Sequence, residues 1–427
     1  MTPETQIPSS PMAAATTRIE FNESGIALFA AAVLLVSAVF WADNTPIREK
    51  TDFSVTYIGS RMVYLGLGPK LYDLAEQKKL KSSLLKNAEP LIYEHPPFEA
   101  FLLAPLGALP YKTAYLVWGL INVAIWLYLP FLLRPYTPVP RDNLGYLVLW
   151  LLFAPLGVAL FQGQSSLLIL LLYSLAFIRL KQGRDWRAGA ILGLGLLKFQ
   201  FILPFALIFV LRRQWRFLQG FLATAAGLAL LSLLAVGPEG VESYIRLLVS
   251  VARHPDNATF GAAIGMATVQ GFVHAVFGKF LNRAVVSILV AGGSLLLVAW
   301  IAWRWRRVEP QTNPEASDLM FAAAVVVSLV TGFHMFTHDL SPLMLSMLLV
   351  AAHFPARREA VLRIVLGATL VLFWIPLLYI ALLAWHCVYL LFPVLMAFLW
   401  GVMRLAETSM GQAGFSAPQT GQGAASV

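Results

Sequence analysis

Apolar residues run through this chain in long blocks, and short basic or polar stretches separate them. The first block, 25–42, is close to the roughly 20 residues that cross a bilayer as a helix. It has only Arg18 before it and no small-residue cleavage site close behind, so it reads as a spanning helix and not as a signal peptide. Further blocks follow at 98–110, 111–133, 144–161, 164–180, 188–211, 216–236, 259–277, 283–303, 318–333, 339–354, 363–380 and 381–403. Several are short, or are interrupted by Gly and Pro.

The basic residues between the blocks set an orientation. Arg134 with Arg141, the group Arg179, Lys181, Arg184 and Arg187, then Arg212, Arg213 and Arg216 occupy three short connectors. Arg304, Arg306 and Arg307, then Arg357, Arg358 and Arg363, and finally Arg404 occupy three more. Lys and Arg in short loops mark the cytoplasmic side, so all six connectors belong there. Block 188–211 then has to go out and come back, as a broken pair hinged near Lys198. Block 318–354 makes a second pair, turning at 334–338. With 98–110 and 259–277 as partial dips, the chain makes about 12 crossings with both termini inside. Residues 1–22 and 405–427 read as disordered cytoplasmic tails, and 23–404 as one transmembrane domain.

Residues 43–97 break the pattern. This long loop carries eight Lys/Arg and still belongs outside, because long translocated segments escape the charge rule. Its basicity points either to a local anionic ligand or to an amphipathic helix lying on lipid headgroups.

Composition agrees. Of 427 residues, 59% are hydrophobic and 12% charged, against about a quarter charged in soluble domains. That excludes a soluble enzyme, a disordered chain and a nucleic-acid-binding module despite a net charge of +9. A single cysteine, Cys387, excludes an internal disulfide framework.

Ionisable groups at membrane depth are costly and are functional candidates by default. The orientation above gathers Asp52, His95, Gln162, Gln164, Lys198, Asp256, His334, His338 and Asp339 at the outer end, though none of them was used to derive it. Asp52, flanked by Phe53 and Tyr57, suits a general base or an ordinary helix N-cap. Lys198 suits a phosphate holder or a snorkelling lysine. His334 and His338 have an i, i+4 spacing that metal sites use, but no HExxH glutamate accompanies them and no metal or other cofactor is indicated. His386 reads as a packed core histidine. There is no Walker motif, no dinucleotide fingerprint and no DxD carboxylate pair.

Four stretches together resemble glycosyltransferase family 87, the GT-C-type transferases that use polyprenyl-phosphate sugars. They are Asp52-Phe53 with Tyr57, Arg61 and Leu71-Tyr72-Asp73; Tyr93-Glu94-His95-Pro96-Pro97-Phe98 with Leu103-Ala104-Pro105-Leu106; Gly163-Gln164 leading to Lys198, Pro204 and Arg212-Arg213-Gln214-Trp215-Arg216; and Gly332-Phe333-His334 through His338-Asp339-Leu340. The chain departs from the family pattern at His95, Ser165, Phe199 and His338. The resemblance implies an all-α GT-C bundle with juxtamembrane helices on the extracytoplasmic side of a bacterial plasma membrane. It implies a lipid-linked donor such as polyprenyl-phosphate mannose and a glycolipid or glycan acceptor. Asp52 matches the base, while Lys198, His334, Arg61 and Gln164 match donor or phosphate positions. Tyr57, His95, Gln162, His338 and Asp339 are placed as acceptor contacts or support.

The alternative is a secondary transporter or flippase. It suits broken helices, but should show two repeats interrupted at matching midplane positions. Here the polar groups gather at one end.

Overall fold

The computed structural model describes residues 23–41, 45–137, 142–253, 265–354 and 360–415. Asp256, Arg141, Arg357, Arg358 and residues 1–22 lie outside that set. Among the described residues there are helices and turns, and no strand. Backbone groups in lipid must be satisfied within the segment, and a helix does so.

After α1 (Glu23–Trp41) and the short α2 (Thr45–Glu49), the chain builds a compact outer layer. It consists of α3 (Phe53–Tyr64), α4 (Leu74–Leu84), α5 (Pro97–Leu102) and α6 (Ala104–Gly107). This layer has a small core of its own, with Tyr57, Met62, Leu71, Tyr93 and Ala100 buried together with Val236. Block 98–110 is therefore two short helices and not a span, as expected. Of the loop's cations, Lys81 is buried and donates to Leu91 O at 2.9 Å, and Arg61 donates to Gly107 O at 2.7 Å. Lys50, Lys78, Lys79 and Lys86 stay exposed.

Then come α7 (Tyr111–Leu133), α8 (Asn143–Leu152) with α9 (Ala154–Gln162) bent at 52°, and α10 (Ser166–Lys181). Next, α11 (Asp185–Gly193) runs through a 3-10 turn, Leu194–Lys198, into α12 (Phe199–Leu211). By length and apolar content 185–211 counts as one 27-residue span. Its contacts give a different path. Helix α13 (Trp215–Arg253) packs beside α11 in the same direction, with Trp186 against Gly220 and Gly193 against Phe221 and Thr224. A Cβ on Gly189 or Gly220 would run into the partner's backbone, so both glycines are needed for this close approach. At the other end, Phe209 stacks on Phe217 and Arg212 is in electrostatic reach of Asp185. Both ends of 185–211 thus meet, and the chain turns back at Lys198.

Helix α13 has 39 residues, about 58 Å at 1.5 Å per residue, too long for one crossing. It breaks at Gly237 (φ 70°, ψ 176°), which only glycine adopts readily. Beyond the break, Tyr244 lies against Tyr72 of the outer layer, with ring centroids 4.8 Å apart. After α14 (Val269–Phe277) and α15 (Arg283–Trp305), helices α16 (Pro314–Val330) and α17 (Leu343–Ala352) form the most enclosed hairpin. Then α18 (Ala360–Phe373) and α19 (Pro376–Ala384) bend at 73°, and α20 (Leu391–Phe415) closes the bundle.

The basic connectors after α10, α12 and α15 gather at one end. Lys181 and His353 both reach Asp318, at 2.6 and 3.3 Å; Arg212 lies over Trp305; Arg304 pairs with Glu407; Arg306 donates to Leu211 O. Two expectations change, and helix length alone does not fix the number of crossings. Five described helices are long and apolar enough to be full spans, or seven if each bent pair is one, so the structure does not by that measure reach twelve. The last helix continues to Phe415, so residues 405–415 are helical and not a disordered tail. His386 is exposed at φ 52° in a turn and is not a core residue.

The gathering of basic ends predicts that positions 78 and 184 face opposite sides of the membrane. With Cys387 replaced, single cysteines at the two positions should label from opposite faces of sealed vesicles. Labelling from the same face would overturn this topology.

Candidate active site

Asp52 occupies the N-cap position of α3, yet its side chain makes no capping hydrogen bond. Asp73, at the N-cap of α4, does cap, accepting from the backbone N–H of Ala75 and Glu76. The Asp52 carboxylate turns instead to Gln164, whose Nε2 donates to Oδ2 at 2.8 Å. Its backbone N–H donates to Gln162 Oε1 at 3.2 Å. Gly163 sits between the two glutamines at φ 63°, and a Cβ there would meet the Phe53 Cβ at 2.7 Å. The close approach lets the 162–164 turn press on the start of α3. Phe53 is fully buried, with Tyr57, Tyr111 and Tyr115 rings around it at 5.7 to 6.4 Å. Tyr57 donates to Leu109 O and belongs to this support.

Behind Asp52 the side chains close into a ring. Lysine can only donate, so Gln164 turns Oε1 to Lys198 Nζ, at 2.9 Å, and its amide N–H to Asp52. Lys198 forms a buried ion pair with Asp339. Asp339 also accepts from Ser166 Oγ at 3.2 Å and from the Phe336 N–H at 3.0 Å. His338 completes the ring, its Nε2 3.3 Å from Asp339 Oδ2 and its Nδ1 3.9 Å from Asp52 Oδ2. Among the described residues nothing bonds to Asp52 Oδ1. The Asp52 side chain is 27% exposed, so this oxygen is open to a ligand.

A cavity adjoins the ring, lined by Glu94, His95, Gln164, Lys198, His334 and His338. His95 Nδ1 lies 2.5 Å from Glu99 Oε2. Burial by itself would lower the His95 pKa, but Glu99 and its hydrogen bond outweigh this and hold it above the usual value. Burial pushes the Glu94 carboxyl up to about 7, with His95 opposing the shift. Glu94 Oε2 has no hydrogen-bond partner among the described residues. For His334, crowded though partly exposed, burial lowers the pKa to about 4 against the pull of Asp339. His334 is therefore a neutral imidazole near pH 7, a hydrogen-bonding group and not a cation.

The structure thus unites Asp52, Gln162, Gln164, Lys198, His338 and Asp339, with His95 and His334 on the adjoining wall. Arg61 stands apart. It is committed to Gly107 O and lies over Tyr64, and it does not line the cavity. Lys198 is not an isolated cation, since Asp339 offsets its charge. Sequence reasoning placed Asp339 as support and missed Glu94 and Ser166. The signal for Asp339 was present: it opens an apolar run, as Lys198 interrupts another, and two lone opposite charges in apolar surroundings pair. Among the described residues no three His, Cys, Asp or Glu side chains form a metal-holding group.

The family model for glycosyltransferase family 87 matches residues 93–332, more than half of the chain. The chain belongs to glycosyltransferase family 87. No curated protein and no solved structure matches it. The family 87 match covers Glu94, His95, Gln164 and Lys198 of the site. Asp52 precedes it, and His334, His338 and Asp339 follow it, joined to it by the geometry above. Family membership makes the protein a membrane glycosyltransferase, with a donor and an acceptor as substrates.

Two predictions follow from these contacts. Replacing Lys198 by Met leaves Asp339 buried and uncompensated, which costs about 3–5 kcal/mol. The double variant Lys198→Met/Asp339→Asn should recover much of that stability in detergent, measured by thermal unfolding. Equal stability of single and double variants would count against the ion pair as a structural element. The second concerns Glu94. Between about pH 4.5 and 7 the unfolded chain ionises this group while the folded chain keeps it protonated, so stability falls as pH rises through that window. Glu94→Gln should therefore gain thermal stability over wild type at pH 8 and show little gain at pH 4.5. A gain independent of pH would contradict the raised pKa.

Proposed function

We propose that this protein is an inverting hexosyltransferase, with Asp52 as general base. The donor is a polyprenyl-phosphate hexose, of which polyprenyl-phosphate mannose is the first to test. The acceptor is a hydroxyl of a glycolipid or glycan. The observation that carries this reading is that Asp52 holds an N-cap position without capping. Its carboxylate is oriented by Gln164 and leaves Oδ1 open.

The chemistry fits a single open carboxylate. A sugar hydroxyl is a poor nucleophile and needs a base, whereas a phosphate leaving group is already ionised and needs no acid. A glycosidase would need two carboxyls flanking the bond. The leaving phosphate gains charge as the bond breaks and is stabilised by donors already in place. Lys198 uses two of its three N–H donors on Gln164 and Asp339, and the third is left for that phosphate. His334 adds a neutral N–H on the same cavity. The basic end of the bundle is cytoplasmic by the positive-inside rule. The site then opens extracytoplasmically in a bacterial plasma membrane. On this reading the pairing of helix ends corresponds to about twelve passes, several of them shorter than a full span.

Asp52→Asn keeps the shape and the Gln164 contact but cannot take a proton. Transfer from polyprenyl-phosphate mannose should fall about 10²–10⁴-fold, with donor affinity nearly unchanged. Because Asp52 makes no cap bond, the thermal midpoint should hardly move. A folded Asp52→Asn protein that transfers at the normal rate would end the assignment of Asp52 as base.

A further inference from the structure

We propose that His338 is the proton acceptor behind Asp52, receiving on Nδ1 the proton that Asp52 takes from the acceptor hydroxyl. This rests on the function proposed above.

The geometry assigns the tautomer. Asp339 Oδ2 also accepts the Phe336 N–H, and its carboxylate holds the Lys198 ion pair, so it faces its neighbours as an acceptor. The ring nitrogen 3.3 Å from it, Nε2, is then the one that carries hydrogen. In a neutral imidazole the other nitrogen, Nδ1, presents a lone pair, and it faces Asp52 Oδ2. Two acceptors repel, and the 3.9 Å between them is longer than a hydrogen bond. Once Asp52 is protonated, the same pair can close into an O–H···N contact.

The direction of transfer follows from the groups themselves: a protonated carboxyl is an O–H donor, and the neutral imidazole Nδ1 facing it is an open lone pair. The charged groups facing His338 are Asp52, Asp339 and, through Asp339, Lys198, with His334 and His95 on the cavity side. Asp339 lies 3.3 Å from its Nε2 and Asp52 3.9 Å from its Nδ1, so the ring stands between the two carboxylates. His338 is buried while Asp52 is partly exposed, so the proton leaves again through Asp52 once product has gone.

The step balances. The acceptor O–H bond breaks and its oxygen bonds to the anomeric carbon. The bond from that carbon to the phosphate oxygen breaks, releasing polyprenyl phosphate as a dianion. The proton moves to Asp52, then to His338, and finally to water.

Two measurements on the full-length protein in lipid nanodiscs test this. In ¹⁵N-histidine NMR without substrate, with His338→Gln identifying the signal, His338 should be the Nε2–H tautomer at neutral pH. Asp339→Asn should weaken that preference. An Nδ1–H tautomer overturns the relay whatever the substrate is. In the transfer assay with polyprenyl-phosphate mannose, His338→Gln should lower kcat about 10²-fold with donor KM unchanged. Added imidazole should restore at least tenfold of the rate lost by His338→Gly. A His338→Gln enzyme with normal kcat and pH profile, or a His338→Gly enzyme that imidazole does not rescue, overturns the relay while Asp52 stands as base. If wild type shows the expected tautomer but transfers nothing from this donor, the proposed function falls and takes the relay's chemical use with it.

Discussion

The ion pair between Lys198 and Asp339 is the constraint on which the outer end of this protein depends. Two opposite charges, 5% and 1% exposed, sit where water cannot solvate them. Each therefore has to find the other, and each polar atom left over has to find a further partner. Lys198 lies at the turn between α11 and α12, and Asp339 at the turn between α16 and α17. The pair thus ties two helical hairpins together at their tips. Its remaining valences recruit Gln164, Ser166 and His338, and through Gln164 and His338 it reaches Asp52. A need for charge compensation becomes the geometry of the site.

That arrangement makes Asp52 a group held from behind and open in front. Oδ2 is bonded to Gln164 and faces His338, while Oδ1 is left to ligand. The cost of preorganisation falls on the ring, where Lys198, His338 and Asp339 are buried, and not on the carboxylate that meets substrate. The outer layer has the complementary task. Phe53 is packed among three tyrosines and against Gly163, so the N-terminus of α3 cannot drift from the glutamine turn.

The basic end is organised by the same logic with less burial. Lys181 and His353 share Asp318, Arg304 pairs with Glu407, and Arg212 lies over Trp305. These contacts bring six helical segments to one place, and this shows that 185–211 returns to the side it left. An apolar length of 27 residues by itself would have read as a crossing. Length and hydropathy are blind to a turn at a single lysine, whereas two basic flanks that must share a side are not.

Much of this architecture is determined by sequence alone, and the reason is the solvent. In a bilayer the apolar blocks must be helices, the short basic connectors must share a face, and Gly237-Pro238 must end the α13 span. Gln164, Lys198 and Asp339 stand out because lone polar groups in apolar blocks are too costly to be accidental, and Asp52, His334 and His338 because the same orientation places them at the outer end. Tertiary structure decided which of them pair. Local pattern could not say that Arg61 would turn away to Gly107 O, that Lys198 would be neutralised by a residue 141 positions later, or that Glu94 would lie on the cavity. Nor could it separate Asp52 from Asp73, two aspartates at helix N-caps of which only the second caps. Burial and partner choice depend on distances between turns far apart in the chain, and those distances exist only once the hairpins have packed.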